Sequence, residues 1–237
     1  MSDVCLTVDL EPDCPPYLDG WVGVERGMPQ VLDLFAANDL LATVFATGET
    51  AERYPELIRR IVDAGHELGC HAHTHRSFSA LEPDEAEREI ARSAALLRAF
   101  APVTSFRAPY LDFPERYMPF LEAHGFTVDA SRGRYKPTHW FRTPARSPIR
   151  RIPASTTSSV LRAPPAVRNL LLGLMRTPVV LFVHPWEFVD QSEAPIPWDC
   201  RFGTGTAALE SLSSTIEFFA RRGDRFVRMT DLEAVDP

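Results

Sequence analysis

Three imidazoles fall within five residues at His71-Ala72-His73-Thr74-His75. Imidazole nitrogen is a common ligand for divalent ions. If the chain turns helical there, residues i and i+4 share a face, so His71 and His75 address one ion and His73 points elsewhere. Two histidines and a carboxylate leave zinc a position for water, which is the pattern of a catalytic site. The carboxylate has candidates in Thr7-Val8-Asp9-Leu10-Glu11-Pro12-Asp13. Side chains alternate along a strand, so Asp9 and Glu11 share one face there, and the pair suits one base and one metal ligand. Phe106-Arg107-Ala108-Pro109-Tyr110 offers a guanidinium able to hold a carboxylate and keep it ionised. Leu181-Phe182-Val183-His184-Pro185-Trp186 ends an apolar run on an imidazole placed to act as general acid. Taken singly, the last three have structural alternatives: an acidic turn, a surface ion pair and a hydrogen-bonded core histidine.

These clusters sit just after short apolar runs. Strands are expected at Val4–Val8, Leu41–Ala46, Glu67–Cys70, Val103–Arg107, Phe126–Ala130, Ile149–Pro153, Val179–His184 and Phe226–Arg228. Helical patterns lie between them: Pro29–Ala37, Pro55–Ala64 closed by Gly65, Glu82–Phe100 with Pro83 in its first turn, Pro114–His124 closed by Gly125, and Thr206–Arg221. Seven or eight strands alternating with helices imply a largely parallel sheet. At 237 residues a closed or partly open (β/α) barrel suits the chain better than a doubly wound sheet. The polar clusters then crown the C-terminal rim, where barrels carry their chemistry. No glycine-rich phosphate loop follows the first strand. Arg134–Ser147 reads as an ordered surface loop, and Pro195–Gly205 as a loop over one barrel face.

Composition narrows the classes. Net charge is −7, with 24% charged and 45% hydrophobic residues and no basic cluster, so nucleic acid is excluded as a partner. A chain of this length buries a core without disulfide or structural metal, which makes any ion a catalytic one. Cys5, Cys14, Cys70 and Cys200 are widely spaced and read as reduced thiols, with Cys70 packing the site wall. The N-terminus lacks the pattern of a signal peptide, and Leu170–Val183, the most apolar stretch, is interrupted by Arg176 and Pro178. The expectation is one cytoplasmic domain over 1–237, with no transmembrane segment. Nothing in the sequence sets an oligomeric state.

In order along the chain, these motifs resemble those of the polysaccharide deacetylase family, the NodB-homology domain of carbohydrate esterase family 4. The likeness runs from Asp9 to His184. Gly65-His66-Glu67-Leu68-Gly69-Cys70-His71-Ala72-His73-Thr74-His75 is its most specific part. Arg107-Ala108-Pro109-Tyr110, Val128-Asp129-Ala130-Ser131 and Leu181 to His184 are similar to further motifs of the family. The resemblance implies a distorted (β/α) barrel holding one divalent ion, zinc first, although the same donors accept Co²⁺, Mn²⁺ or Ni²⁺. It implies His71 and His75 as ligands, Asp9 as base, Arg107 as the residue orienting that base, and Asp129 as a residue positioning Arg or His. It further implies His184 as general acid and Leu181 as a wall for the acyl methyl. The family's usual first motif has two adjacent Asp, the second a ligand. Leu10 stands at that second place here, so Glu11 is expected as third ligand, as in a variant branch. The expected activity is removal of an N-acyl group, acetyl first, from an amino sugar or glycan precursor, small or lipid-linked. Tyr110, Trp186 and Trp198 are candidates to stack on the sugar, and a backbone N–H near Tyr110 is a candidate oxyanion donor. Two alternatives stand beside this: a deformylase or cyclic amide or imide hydrolase, and a non-catalytic carbohydrate-binding barrel.

Overall fold

The first strand, β1 (Asp3–Leu10), is buried along nearly its whole length. It is central, paired in parallel with β2 (Thr43–Ala46) on one side and β7 (Val179–Val183) on the other. Strand parity divides its side chains. Val4, Leu6, Val8 and Leu10 join the large core beneath the surrounding helices, whereas Cys5 joins a second core inside the curled sheet. Thr7, Asp9 and Glu11 follow the parity of Cys5, so polar groups line the interior towards the strand's C-terminal end.

The computed structural model describes residues 2–140 and 146–232. β3 (Glu67–Cys70), β4 (Ser105–Phe106), β5 (Val128–Asp129) and β6 (Arg150–Arg151) extend the sheet beyond β2, giving the order β6-β5-β4-β3-β2-β1-β7. β8 (Arg225–Phe226) pairs with the first two residues of β1. Every ladder between named strands is parallel. The curl brings the segment after β6 to β7, where Ser155 N donates to Val180 O at 2.8 Å. The molecule is a distorted, incompletely closed (β/α) barrel.

Helices α1 (Met28–Ala37), α3 (Pro55–Asp63), α4 (Pro83–Leu97), α5 (Met118–Ala123), α7 (Pro165–Gly173) and α9 (Thr206–Arg221) connect the strands, with shorter helices α2 (Gly48–Arg53), α6 (Pro137–Trp140) and α8 (Trp198–Arg201) in the connections. α4 starts on a capping box between Glu82 and Glu85 with Pro83 in its first turn. Gly65 and Gly125, at φ 83° and 72°, take the left-handed turns that close α3 and α5. Strands four to six are only two residues long, shorter than their apolar runs suggest. The span expected as a loop at 134–147 includes α6, and 141–145 lie outside the described residues. Among the described residues no helix is long and apolar enough to cross a membrane.

Candidate metal and acid-base site

Glu11 lies at the centre of the rim. Its Oε2 is 2.6 Å from His75 Nε2 and 3.1 Å from His71 Nε2, and its Oε1 is 3.9 Å from His184 Nε2. Glu11, His71 and His75 present ligand atoms within 4.8 Å of one another, all on buried residues. His71 Nδ1 lies 2.7 Å from the carbonyl oxygen of Arg107. A carbonyl only accepts, so this nitrogen carries the proton. A neutral His71 then turns its Nε2 lone pair towards the Glu11 carboxylate. Two acceptors face each other at 3.1 Å, an arrangement that asks for a cation or a further proton between them. Two imidazoles and a carboxylate are a donor set that fits zinc and leaves a position open.

The histidines meet through a loop rather than a helical turn. Ala72 and His75 adopt left-handed φ of 59° and 51°, which folds the chain back so that the two rings come to 5.1 Å between centroids. The loop is held from both sides. At the N-terminus of α2, Gly48 N and Glu49 N donate to the carbonyls of Ala72 and His73. From α4, Glu89 accepts from His73 N, Thr74 N and the Thr74 hydroxyl. A Cβ on Gly48 would lie 2.4 Å from His73 Nδ1, so glycine is needed for this close approach. His73 turns away from Glu11 and lies 4.0 Å from Glu52. Cys70 faces Ser93 of α4, at 3.0 Å, rather than lining the cavity.

Asp9 lies beside this trio. Arg107 Nη1 donates to Asp9 Oδ1 at 2.6 Å and to Thr7 Oγ1 at 2.7 Å. Arg107 is fully buried, its guanidinium 4.3 Å from the Phe45 ring centroid. On the other flank, His184 Nδ1 lies 2.7 Å from Glu187 Oε1, and the His184 ring stacks on Trp186 at 5.0 Å. A cavity of about 190 Å³ opens between the flanks, lined by Asp9, Glu11, His71, His75 and His184 and walled by Tyr110, Leu111, Tyr135, Phe182 and Trp186.

Electrostatics follow from this crowding. Burial alone would raise the Glu11 pKa, but the His75, His184 and His71 imidazoles around it outweigh that and hold the carboxyl well below its usual range. Burial disfavours charge on His184, yet Glu11 and Glu187 reverse that and lift its pKa to about 9. Glu187 is lowered despite burial, by His184 and Arg162.

Three expected assignments, Leu181 and Asp129 from the resemblance and Trp186 from its aromatic face, meet a different placement. Leu181 is fully buried in the outer core; parity directs Phe182 and His184 to the cavity instead. Asp129 follows β5 parity opposite to Val128, which lies in the inner core, so it points away from Arg107 and His184. Its contacts are Ser131 N at 3.0 Å and Arg151 Nε at 4.0 Å. Trp186 is buried against His184, with its indole N–H directed at Glu11, and its face is not free for a sugar. Trp198 is exposed, stacked on Phe202. Tyr110 takes φ 59° and lies edge-on to His75 at 4.7 Å, with 39% of its surface open. Sequence reasoning missed Thr7, Phe182, Glu187 and Arg162. Parity along β1 and β7 and the His-x-x-Glu spacing were the available signals for the first three.

Comparison with known proteins places this geometry in context. The family model described as polysaccharide deacetylase matches residues 2–128. A peptidoglycan deacetylase of Helicobacter pylori is 36% identical over 110 residues, 45% of this chain and 37% of that protein. A peptidoglycan-N-acetylglucosamine deacetylase of Bacillus cereus is 26% identical over 129 residues, 54% of this chain and 43% of that one. A chitooligosaccharide deacetylase of Sinorhizobium fredii is 39% identical over 85 residues, 35% of this chain and 40% of that one. The matches thus span less than half of these relatives' length. In fold, a family 4 carbohydrate esterase of Streptomyces lividans solved with acetate superposes with a TM-score of 0.67 at 18% identity, over 100% of this chain and 98% of that one. A pseudoenzyme of the same esterase family from Bacillus anthracis gives 0.67 at 17% identity, over 98% of this chain and 65% of that one.

Proposed function

The chain belongs to the polysaccharide deacetylase family, and on that premise we propose that it is a metal-dependent hydrolase removing an N-acyl group, acetyl first, from an amino sugar or glycan precursor. The observation that carries the proposal is a three-donor set flanked, within one cavity, by a carboxylate fixed to a buried arginine and by the His184 imidazole. A divalent ion on Glu11, His71 and His75, zinc first, would supply a Lewis acid for the acyl carbonyl and lower the pKa of a water beside it.

The remaining work falls to side chains. Asp9 takes the proton of the attacking water, and the Arg107 hydrogen bond holds its carboxylate in place. His184, charged near neutrality, gives the proton from Nε2 to the nitrogen as the carbon–nitrogen bond breaks. Phe182 and Leu111 give the acyl methyl an apolar wall, and a cavity of about 190 Å³ accommodates an acyl group with the edge of one sugar ring. Peptidoglycan and chitooligosaccharide, named for the relatives, belong to this substrate class.

The Bacillus anthracis pseudoenzyme gives a reason to weigh a non-catalytic barrel. A binding protein has no need of both a base and an acid, and Asp9, Arg107 and His184 support the catalytic reading. The deciding experiment incubates metal-loaded protein with N-acetylglucosamine oligomers, their N-formyl counterparts and a cyclic imide, and measures acetate, formate and ring opening. Acetate release abolished by chelator and restored by zinc is the expected result. Formate or ring opening alone would move the substrate class, and no product from any of them would sink the enzymatic reading.

A further inference from the structure

Resting on the acid role given to His184, we infer that Glu187 is the residue that positions this imidazole, and that Arg162 ties the pair to the 198–205 segment at the cavity. A histidine that delivers a proton from Nε2 needs Nδ1 held by a fixed acceptor. Asp129, the family's nominee for such a task, lies on the other face of β5 and is engaged by Ser131 and Arg151. Glu187 fills the place. Its Oε1 accepts from His184 Nδ1 at 2.7 Å and from His184 backbone N at 3.1 Å, so one oxygen fixes both the ring and the strand end that carries it. The short 3₁₀ turn Pro185–Phe188 makes this reach possible, because residues i and i+3 eclipse.

Glu187 is 1% exposed, and a carboxylate so buried requires a countercharge. Arg162 provides it, with Nε 3.0 Å from Glu187 Oε2, although its N–H is not aimed along that contact. The rest of the guanidinium reaches the opposite way. Nη1 donates to the carbonyls of Cys200 and Phe202, and Nη2 to that of Asp199. Gly205 N closes the circuit on Glu187 O at 2.8 Å. Cys200 lines the cavity that His184 faces. Arg162 thus joins a piece of the cavity wall to the carboxylate that orients the acid, and a substrate pressing on that wall bears on His184 through two charged contacts.

The test compares wild type, Glu187→Gln and the double variant Glu187→Leu/Arg162→Leu, all zinc-loaded. Glutamine keeps the shape of Glu187 but removes the negative charge that the His184 ring and Arg162 face. The double variant removes both buried charges and guards against misfolding of the single one. Turnover is measured on an N-acetylglucosamine oligomer and on 4-nitrophenyl acetate, whose phenolate leaves without a proton. Both variants should lose amide turnover on the order of 10²-fold, with KM and nitrophenyl acetate turnover within about threefold. A purely structural role would lower both substrates together, and that result, or retained amide turnover, overturns the inference. A parallel NMR measurement follows the hydrogen-bonded Nδ1–H proton of His184, which should be present in wild type and lost or shifted in both variants. If wild type acts on neither substrate, the catalytic reading fails on its own account, and the NMR signal still decides whether Glu187 holds the ring; an unchanged signal would refute it.

Discussion

At Glu11 three imidazoles converge on one carboxylate, and the division of labour proposed for Glu11 and Asp9 rests on their partners. Among the described residues Glu11 faces histidine and indole nitrogens, whereas Asp9 is bonded to a guanidinium that opposes a metal's charge. Glu11→Gln and His71→Ala should therefore lose bound zinc by elemental analysis. Asp9→Asn should keep zinc and lose turnover by roughly 10²- to 10⁴-fold; zinc loss in Asp9→Asn with retention in Glu11→Gln would exchange the roles. The charge balance also predicts a pH dependence of stability in the metal-free protein. The folded pKa of His184, about 9, lies above its ordinary 6.5, so its contribution is whole below 6.5 and is lost as pH rises through 9. Glu187 is displaced the other way, so its contribution holds above the ordinary carboxylate pKa of 4.5 and vanishes as pH falls through its lower folded value. Thermal melts of wild type minus His184→Asn should show a difference that shrinks between pH 6.5 and 9; a flat difference there would contradict the assignment. At this scale the sequence was legible wherever parity was applied. It put Asp9 and Glu11 on one face, and the same rule applied to β5 and β7 would have turned Asp129 and Leu181 away and brought Phe182 in. Arg162 was not legible, because its partners lie in segments joined only by folding.

Among the elements, the 71–76 loop shows how a site borrows rigidity. Of the six non-glycine residues at positive φ among the described residues, Cys14, Ala72, His75, Tyr110 and Leu111 belong to segments around the cavity. Each such conformation costs about 1–2 kcal/mol, and the surrounding bonds must hold it. For the 71–76 loop those bonds come from the start of α2 and from Glu89 on α4. Glu89→Ala removes three accepted hydrogen bonds without touching a proposed ligand. It should weaken zinc binding by roughly 10- to 100-fold in a competition assay with a chelating dye. Unchanged affinity would mean that the α2 contacts alone suffice. The helical i, i+4 rule paired His71 with His75, and their rings do meet at 5.1 Å, but through a loop, since no helix forms there. A left-handed turn at alanine leaves no mark in residue pattern, and α2, which anchors it, is too short to show a period.

Across the whole molecule the two ends of the barrel do different jobs. The rim carries the proposed site, and the opposite end is pinned by Glu67 at the start of β3. Glu67 accepts from the hydroxyls of Thr43 and Ser105 on the neighbouring strands and from the backbone N of Thr230 after β8, at 3.0 Å. Arg150 adds hydrogen bonds to the carbonyls of Leu232 and Thr230, so the tail returns to the floor of the sheet. The strand order could be anticipated from alternating apolar runs, but this closure joins residues 163 positions apart and follows only from the curl of the sheet. Hydrogen bonds to a charged group contribute about 1.5–3 kcal/mol each at most, with partial relaxation into water. Glu67→Ala should therefore cost about 2–3 kcal/mol, which in a chain of this length lowers Tm by roughly 4–12 °C. Zinc affinity should stay within about twofold, because the rim loops are anchored by α2 and α4 rather than by the floor. Differential scanning calorimetry with a zinc titration checks both. A variant that keeps its Tm would show that the tail is not pinned through Glu67, and one that loses zinc along with stability would show that rim and floor unfold as one unit.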